Sequence, residues 1–430
     1  RAPAHSGVHA LVFTLSSIST RRTCCWISRV NLGVVGDWSG HRAVVVGGSI
    51  GGLTTALLLR RLGFDVDVYE RTPTDRDGRG GGIVLHPETL RWFVECSDQH
   101  PENVSTATEY VQYLARDNTV LHRVADPWTF TSWGTFHRAL LSDFGTDHYH
   151  LGEDAAGFDQ DADTVEVRFA SGRRERAALV VFADGISSPS RRRISPESRL
   201  VYAGYVGWRG TVPESQLSAE TFELLHDSIT YSVAPHTHAP VYPIPSPGGG
   251  LARGERLLNY VWYRNVAEGP ELDELMTDKR GIPATVSLHP GVVQERFIDE
   301  MRSAATELLA PAVAEVVLRT EEPYLQAVYD VSSQRMVMGR AALLGDGAFT
   351  ARPHPAAGTA KAAANAWALY DALSERDDIA EALASWEPGQ LDIGEKLVRR
   401  ARAMGTRVQI DNTWVPGDPD NRLGLYGPDI

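Results

Sequence analysis

The stretch VVVGGSIGGLTTALLLRRLG, residues 44–63, decides the fold, because it joins a short β-branched run to an apolar helix through a glycine-rich turn. With DVDVYE at residues 65–70 as a second strand, it predicts the opening of a βαβ unit. The turn permits two functional interpretations. Residues 47–51 read G-x-S-x-G, the turn that presents the nucleophile of an α/β hydrolase, whereas residues 47–52 read G-x-x-x-x-G, which is typical of dinucleotide binding.

The residues around the turn favour dinucleotide binding. A hydrolase would need an oxyanion loop after an earlier strand, and no credible strand precedes the quoted stretch. A dinucleotide site predicts an acid at the end of the second strand, to bind a ribose, and Glu70 stands there, 18 residues after Gly52. Gly47 would make the tight turn, and the helix start at Ser49 and Ile50 would face a pyrophosphate. We expect the Ser49 hydroxyl to cap the helix, and a turn without a ligand stays open as a third interpretation.

The composition narrows the class of protein. The chain has 430 residues, of which 43% are hydrophobic and 23% charged, as in a globular enzyme with room for two domains. A formal net charge of −13 disfavours nucleic acid as a partner. Three cysteines cannot build a disulfide framework, which favours a reducing, cytoplasmic location, and no apolar run is long enough to span a membrane. The histidine pairs at 148/150 and 236/238 lack further ligands at metal-site spacing, so no metal is predicted.

Two later segments repeat the pattern of a buried strand that ends in an acid beside glycine. They are LVVFADG at residues 179–185 and LLGDG at residues 343–347. An aspartate in this position can bind a polyol or a water that bridges phosphates, although a single one is more often a helix cap. Three such strand ends in one chain are much less common. An alanine-rich helix is predicted at residues 358–375, and its N-terminus would carry about half a positive charge.

With these three motifs, the sequence resembles the single-component, FAD-dependent aromatic hydroxylases of the p-hydroxybenzoate hydroxylase fold, over residues 42–425. The resemblance implies FAD as the cofactor and NADH or NADPH as a transient co-substrate, with NADH favoured because no arginine cluster for a 2′-phosphate is apparent. It implies hydride transfer to FAD, reaction with O2, and transfer of OH from a C4a-hydroperoxide to a small, electron-rich aromatic substrate. Stretches such as AGYVGWRG (203–210) and ARPHPAAGTAKA (351–362) are similar to hydroxylases of dihydroxypyridines, which makes 3-hydroxylation of 2,6-dihydroxypyridine the most specific hypothesis.

The resemblance also implies which residues bind FAD. Glu70 matches the ribose-binding acid, Arg138 the arginine that approaches the phosphates, and Asp346 the ribityl-binding aspartate. Asp184 matches the aspartate linked to both FAD and NAD(P)H, and residues 81–83 match the segment beside the isoalloxazine. The full predicted FAD-binding set is Gly47, Ser49, Ile50, Gly52, Glu70, Arg71, Gly82, Ile83, Arg138, Asp184, Gly185, Asp346, Pro353, Gly358, Thr359 and Ala360.

Fewer features of the sequence indicate which residues bind or activate the substrate. The substrate hydroxyl must lose a proton, so a base is expected, with His354 as the first candidate and His86 as the second. Tyr205 is a further catalytic candidate, and Trp208 and Arg209 are expected to line the substrate side together with His354. The structural alternative is that a lone loop histidine is a surface or capping residue and that aromatic residues in a sheet are core.

Three departures from the family pattern keep rival hypotheses open. Ser49 replaces a glycine, Phe349 stands where many members have histidine, and Ala360 stands where many have asparagine. The first and last are tolerable, because the contacts there are largely made by the backbone. The rivals are a hydroxylase of other phenols or hydroxybenzoates, a flavin oxidase or reductase, a non-catalytic flavin-binding relative, and a serine hydrolase that uses Ser49.

The predicted fold is α/β, with a Rossmann-like FAD-binding domain, an inserted substrate domain on a mostly antiparallel sheet, and C-terminal helices. The FAD-binding domain is assigned to residues 41–200 with 335–385, and the substrate domain to residues 201–334, where alternating aromatic segments begin. Residues 1–40 are interpreted as a poorly ordered extension, and residues 386–430 as a helical segment and tail. A homodimer is the family expectation.

Overall fold

The polypeptide is described by a computed structural model over residues 36–74 and 81–427. The predicted extension up to residue 35 and most of the predicted loop at 75–82 lie outside these residues. Within the described ranges, the strands form three sheets of six, nine and three strands, with helices between and around them. The predicted α/β class and the Rossmann-like arrangement are confirmed.

The first sheet contains the glycine-rich stretch. Its strands in the described chain are β1 (Arg42–Val46), β2 (Asp65–Glu70), β6 (Tyr149–Leu151), β10 (Leu179–Phe182), β17 (Val337–Met338) and β18 (Ala341–Leu343). Their spatial order is β17-β18-β10-β1-β2-β6, and every neighbouring pair except β17 and β18 is parallel. The three predicted acidic strand ends belong to β2, β10 and β18, so they meet at the same edge, which is where open parallel sheets bind ligands.

Helix α1 (Ile50–Arg61) leaves the turn after β1 and is buried almost all round. It packs against α3 (Trp133–Phe144) and α9 (Gly358–Ser374), while α2 (Pro87–Glu95) and α10 (Ile379–Gln409) pack on other sides of α9. Small residues permit the close crossing of α1 and α9. A Cβ on Gly51 would already lie 3.0 Å from the Cβ of Ala362. The alanine-rich sequence of α9 is therefore explained by packing against α1.

The second sheet draws strands from distant parts of the chain. Its described strands are β3 (Gly82–Leu85), β4 (Thr106–Leu114), β5 (Val120–Ser132), β11 (Val201–Pro213), β12 (Ser228–Ala234), β13 (Thr237–Ile244), β14 (Leu257–Asn265), β15 (Ser287–Leu288) and β16 (Tyr324–Asp330). Their order is β15-β16-β11-β14-β13-β12-β4-β5-β3, and only the pair β12 and β4 is parallel among them. Strands β3 to β5 thus join this sheet although the sequence placed them with the FAD-binding residues. The pairing of β4 with β12 is long-range, so no local pattern signals it, and the domain division stays a prediction.

The two faces of the second sheet have different neighbours. Helices α5 (Ala219–Leu225), α6 (Pro270–Leu275), α7 (Glu295–Leu308) and α8 (Pro311–Leu318) belong with one face and its apolar cluster. The other face looks onto a cavity closed by the loop before α9. Because side chains alternate along a strand, neighbouring residues of β11 serve different faces. The third sheet consists of β7 (Ala155–Gln160), β8 (Val165–Phe169) and β9 (Arg174–Ala177), and the short helix α4 (Arg191–Ile194) follows β10.

Candidate active site

The turn after β1 requires glycine at two positions. Gly47 has a φ of +102°, and a Cβ there would lie 2.3 Å from the carbonyl oxygen of Ala183. A Cβ on Gly52 would lie 1.8 Å from the carbonyl oxygen of Gly47. These close approaches place the start of α1, at Ile50, directly at the carboxyl end of β1. The N–H groups of the first helical turn are therefore positioned for an anionic ligand, as the sequence predicts.

Ser49 does not act as predicted at this turn. Its hydroxyl makes no side-chain cap hydrogen bond to α1, so the expected helix cap is wrong. The Oγ atom instead accepts a hydrogen bond of 3.2 Å from Nε1 of Trp133, at the start of α3. Among the described residues no histidine bonds to this hydroxyl, and a hydrolase nucleophile would need such a base. Ser49 is thus part of the wall of the turn.

Glu70 lies where the ribose-binding acid is expected. Its Oε2 accepts a hydrogen bond of 2.9 Å from the N–H of Gly48, and its Oε1 accepts from the N–H and hydroxyl of Thr72 at 3.0 and 2.8 Å. The carboxylate is therefore held at the glycine turn by the chain's own backbone. Helix α3 flanks the same point, since Nε2 of His137 lies 2.9 Å from the carbonyl oxygen of Gly48. Arg138, the predicted phosphate-binding arginine, is the next residue of that helix.

The strand-end motif of residues 179–185, which contains Asp184, lies against the motif of residues 343–347. Both carboxylate oxygens of Asp184 are buried; Ser188 and Ser190 lie close enough to favour the charged form, but burial outweighs them and raises the pKa of this group. A Cβ on Gly347 would lie 3.2 Å from Oδ1 of Asp184, and Arg191 donates a 3.0 Å hydrogen bond to the carbonyl oxygen of Gly347. Gly185 adopts a φ of +77°, which favours glycine. A buried carboxylate is costly unless polar groups fully surround it, so this position fits a site that a ligand or water completes.

Lys361 contacts the third motif, and the sequence analysis made no prediction for it. Asp346 is half-exposed, and its Oδ1 lies 2.9 Å from Nζ of Lys361, whose side chain is only 1% exposed. The same ammonium contacts the carbonyl oxygen of Phe349. Lys361 therefore links the predicted ribityl-binding aspartate to the first turns of α9. Its signal was a lysine within the alanine-rich first half of α9, where a charged residue is unusual at a buried position.

A cavity of about 280 Å³ lies between the second sheet and the loop that precedes α9. A groove of about 560 Å³ adjoins it, and the two share the wall residues Gly82, Ile83, Arg209, Gln326 and Thr359. The groove continues to Arg71 and to Trp133 beside the glycine turn. Together they form an elongated space from Trp133, which donates to Ser49 of the turn, to the second sheet. Asp346 lines this space, and the start of α1, Glu70 and the buried Asp184 lie at the same edge of the first sheet, an arrangement that suits FAD.

Seven of the sixteen predicted FAD-binding residues border this space. Those that line the cavity or the groove are Arg71, Gly82, Ile83, Asp346, Pro353, Gly358 and Thr359. Ala360 does not. Its side chain is fully buried and packs with Leu397 and Leu425 behind the helix start, which leaves only its backbone for the predicted contact with FAD. The reason is helical geometry, because only one side of the first turn of α9 faces the cavity.

His354 and Tyr205, two of the predicted catalytic residues, are brought together. The Tyr205 hydroxyl and Nε2 of His354 lie 2.7 Å apart, both side chains are buried, and His354 lines the cavity. Arg352 donates to the same hydroxyl oxygen at 3.5 Å, which favours the tyrosine hydroxyl as the donor to His354. Nδ1 of His354 then carries the ring proton; it is buried and has no hydrogen-bond partner in the described chain. A Cβ on Gly405 would lie 2.3 Å from the tyrosine oxygen, so α10 needs glycine here.

The electrostatic surroundings keep His354 neutral. Its pKa lies well below the ordinary 6.5 because the imidazole is buried, and because His238 and Arg352 oppose a positive charge. Arg352 itself is paired with the buried carboxylate of Asp330 at 3.0 Å. A neutral imidazole whose pKa is far below 7 is a poor proton acceptor at neutral pH. The position predicted for His354 therefore agrees with the cavity, whereas the role of base does not suit its environment.

The other residues predicted for the substrate side, His86, Arg209 and Trp208, do not all line the cavity. His86 is buried, and its Nε2 lies 2.9 Å from the carbonyl oxygen of Ala356, so it supports the cavity loop from behind. Arg209 lines both the cavity and the groove. Trp208, its neighbour on β11, points to the opposite face and is buried in the apolar cluster under the helices. The prediction that Trp208 lines the substrate side is therefore wrong, because strand alternation gives that face to Arg209.

Arg209 is a partly buried cation among tyrosines. Its pKa is raised from the usual value: burial opposes the charge, but the nearby Tyr324, Tyr263 and Tyr242 favour it. Its Nε is buried and lacks a hydrogen-bond partner among the described residues. Burial of a guanidinium without a carboxylate is costly, so the arrangement suits an anionic group in the cavity or groove.

His238 also lines the cavity, and the sequence analysis considered it only as half of a metal-binding pair. Its Nδ1 lies 2.9 Å from Nε2 of Gln409, and its ring stacks on Tyr263 and Trp414 with centroids 4.8 and 5.7 Å away. Burial lowers the pKa of His238 to about 3, so this imidazole is neutral as well. The His238 and His354 rings are 5.3 Å apart, which makes them neighbours on one wall.

Two further properties of the described chain complete the description. No group of histidine, cysteine, aspartate or glutamate side chains in residues 36–74 and 81–427 is arranged to hold a metal ion. His148 and His150 instead each contact Oδ1 of Asp67 at 3.0 Å. None of the helices in these ranges combines the length and apolar character needed to cross a membrane.

Comparisons with known proteins agree with this geometry. A family model described as an NAD(P)-binding Rossmann-like domain matches residues 45–76, and one described as FAD binding domain-like matches residues 202–330. The chain is 38% identical over 388 residues to a 2,6-dihydroxypyridine 3-monooxygenase of Paenarthrobacter nicotinovorans, covering 89% of this chain and 96% of that protein. It is 25% identical to a FAD-dependent urate hydroxylase of Klebsiella pneumoniae, covering 87% and 93% of the two chains.

Solved structures lead to the same family. The structure of 2,6-dihydroxypyridine-3-hydroxylase from Arthrobacter nicotinovorans superposes with a TM-score of 0.84 and 37% identity, covering 91% of this chain and 99% of that one. A Klebsiella pneumoniae protein complexed with FAD and uric acid shares the fold, with a TM-score of 0.72 at 22% identity over 86% of this chain and 90% of that one. The chain belongs to the FAD-dependent aromatic hydroxylases, flavoprotein monooxygenases that bind FAD and use a nicotinamide co-substrate.

Proposed function

We propose that the enzyme hydroxylates 2,6-dihydroxypyridine at carbon 3, with NADH as the electron donor and O2 as the oxidant. The observation that carries this proposal is the cavity wall, where two buried neutral histidines and a guanidinium surrounded by tyrosines meet. Such a wall suits a small ring whose oxygens share a negative charge. The 38% identity to a 2,6-dihydroxypyridine 3-monooxygenase supports the choice of ring.

The chain's own residues would hold FAD along the groove. Glu70 would bind the ribose, Arg71 and Arg138 the phosphates, and Asp346 the ribityl chain. Bound FAD supplies the activation of O2 with two electrons taken from the nicotinamide. Overall, one ring C–H becomes C–OH, the second oxygen atom leaves as water, and NADH becomes NAD⁺. The N-terminus of α9, which has no side-chain cap in the described chain, adds a partial positive charge beside the cavity and would favour an anionic ligand edge there.

His354 would contact a substrate oxygen through Nδ1. In the tautomer set by Tyr205, this atom donates a hydrogen bond, so His354 would stabilise an ionised hydroxyl and would not remove its proton. Arg209 would favour the same ionised form by its charge. An ionised hydroxyl makes the ring more electron-rich, which is what transfer of oxygen to a ring carbon needs. This revises the role of base that the sequence suggested for His354.

The test is NADH consumption in air by the FAD-loaded enzyme, with and without 2,6-dihydroxypyridine. We expect the diol to raise the rate and a trihydroxypyridine to appear by mass spectrometry in proportion to the NADH used. Salicylate and urate, at equal concentration, are controls for other aromatic hydroxylases. If NADH is oxidised in the presence of each of the three compounds but only reduced oxygen species form, the proposal is contradicted. That result would favour a flavin oxidase or reductase. A cytoplasmic location and a homodimer remain proposals drawn from the sequence and the family.

A further inference from the structure

The position of His238 in the sheet directs its side chain into the cavity. His238, Pro240 and Tyr242 are alternate residues of β13, and all three line the cavity. Thr237, the preceding residue, faces the other way and accepts a hydrogen bond of 2.9 Å from the buried Nε1 of Trp262. Since alternate residues of a strand share one face, the orientation of His238 is fixed by the strand.

Its neighbours fix both the plane of the ring and the place of its proton. Tyr263 and Trp414 stack on the imidazole at interplanar angles of 23° and 26°. Gln409, buried in the last turn of α10, donates from Nε2 to Nδ1. Because Nδ1 accepts, the proton of the neutral ring is on Nε2. The polar atom that His238 retains for the cavity is therefore a hydrogen-bond donor.

His354 offers a second donor on the same wall. Its Nδ1 is buried without a partner among the described residues, and its ring centroid is 5.3 Å from that of His238. A single small ring in the cavity can reach both imidazoles. A ligand with one oxygen would leave one of the two buried donors unsatisfied, and that costs affinity.

We infer that His238, held by Gln409, is a specificity-determining residue that binds the second oxygen of a dioxygenated heteroaromatic substrate, while His354 binds the first. This inference rests on the proposed function, because it concerns how the same cavity distinguishes a diol from a ring with one hydroxyl. It assigns no proton transfer to His238. Gln409 is a positioning residue, since it acts through the tautomer of His238.

The test compares two ligands with the FAD-loaded enzyme, namely 2,6-dihydroxypyridine and 2-hydroxypyridine. Affinity is measured from the change in the flavin absorption spectrum on titration without NADH. In His238→Phe, which keeps an aromatic ring between Tyr263 and Trp414, we expect the diol to bind about tenfold more weakly, as for a lost hydrogen bond in a buried site. The affinity for 2-hydroxypyridine should change less than about twofold, because that ligand has no second oxygen to lose.

Two further variants separate recognition from a structural effect. His236→Asn is the matched control, since His236 lies on the same hairpin, contacts the backbone oxygen of Gln409 and does not line the cavity; both affinities should match the wild type. Gln409→Met keeps His238 but releases its tautomer, so it should weaken diol binding in the same direction by about threefold. This variant keeps the inference testable if His238→Phe does not fold.

The outcomes distinguish the inference from the proposed function. Equal weakening of both ligands, or no weakening of the diol, in His238→Phe and Gln409→Met would overturn the role of His238 while diol hydroxylation by the wild type still stands. If 2,6-dihydroxypyridine does not raise the rate of NADH consumption by the wild-type enzyme, the proposed function is overturned, and the inference with it. Selective loss of the diol in both variants, with the control unchanged, supports the inference.

Discussion

The FAD groove and the substrate cavity adjoin each other, yet the sequence encodes them in different ways. The groove begins at a turn whose geometry depends on backbone positions in one short stretch, where Gly47 and Gly52 permit approaches of 2.3 and 1.8 Å. The cavity is built from side chains of β11, β13, the loop before α9 and the end of α10, which are far apart in the chain. A local backbone requirement leaves a readable motif, whereas a cavity wall assembled from distant segments does not.

The largest expected effect tests the backbone side of this comparison. Gly52→Ala places a Cβ where only 1.8 Å separates it from the carbonyl oxygen of Gly47, so the turn cannot close. We expect FAD binding to be lost, measured by titration of the purified apoprotein and by the visible spectrum as isolated. Gly389→Ala is the matched control, because a Cβ there meets nothing within 4 Å and alanine favours a helix. Retention of FAD by Gly52→Ala would mean that the groove tolerates a different turn.

A smaller effect tests whether side chains matter in the groove as well. Lys361→Met removes the ammonium that lies 2.9 Å from Asp346, and we expect the dissociation constant for FAD to rise roughly 10- to 100-fold, as for a hydrogen bond to a charged group. Equilibrium titration of FAD fluorescence measures it. Lys396→Met, which removes one partner of the more exposed pair with Asp392, should bind FAD like the wild type. Unchanged affinity in Lys361→Met would leave the groove dependent on backbone alone.

The difference between a local motif and a wall assembled from distant segments explains how much of the fold and of the site could be predicted from the sequence. The strands β1 and β2, helix α1 and the three acidic strand ends follow from hydrophobic runs and glycines in the sequence, and the structure places them together. The entry of residues 82–132 into the second sheet depends on pairing with β12, which no local signal announces. Lys361 was missed because it occupies a position where the family pattern gave no role.

Two neighbouring residues of β11 show where sequence reasoning about side chains ends. Trp208 and Arg209 are neighbours, and the sequence placed both of them on the substrate side. The strand assigns one face to each, and the register that decides between them is fixed by pairing with β14 and β16. His238 was likewise weighed as a metal ligand, because the contact with Gln409, 171 positions away, is invisible in the sequence.

The smallest expected effect concerns the acid stability of the cavity. His238 and His354 have pKa values below the ordinary 6.5 in the folded enzyme, so below about pH 6.5 the unfolded chain binds more protons than the folded one. Above that pH the two histidines therefore do not lower the free energy of unfolding. Below it, the free energy of unfolding decreases as the pH falls, because protons bind preferentially to the unfolded chain. The slope approaches about 1.4 kcal/mol per pH unit for each histidine.

Urea unfolding of the FAD-loaded enzyme between pH 7.5 and 5, at roughly half-unit steps, would measure this slope. His238→Phe should make it shallower by up to about 1.4 kcal/mol per pH unit, because one of the two buried imidazoles is gone. Tyr242→Phe, another change on the cavity face of β13, should keep the wild-type slope, since burial raises the pKa of Tyr242 and its hydroxyl does not ionise in this range. Equal slopes in all three proteins would show that His238 is protonated alike in the folded and unfolded states. Below about pH 6.5 the cavity would then hold a charged imidazole, and in that range its recognition of an anionic ring would rest on charge and no longer on a fixed tautomer.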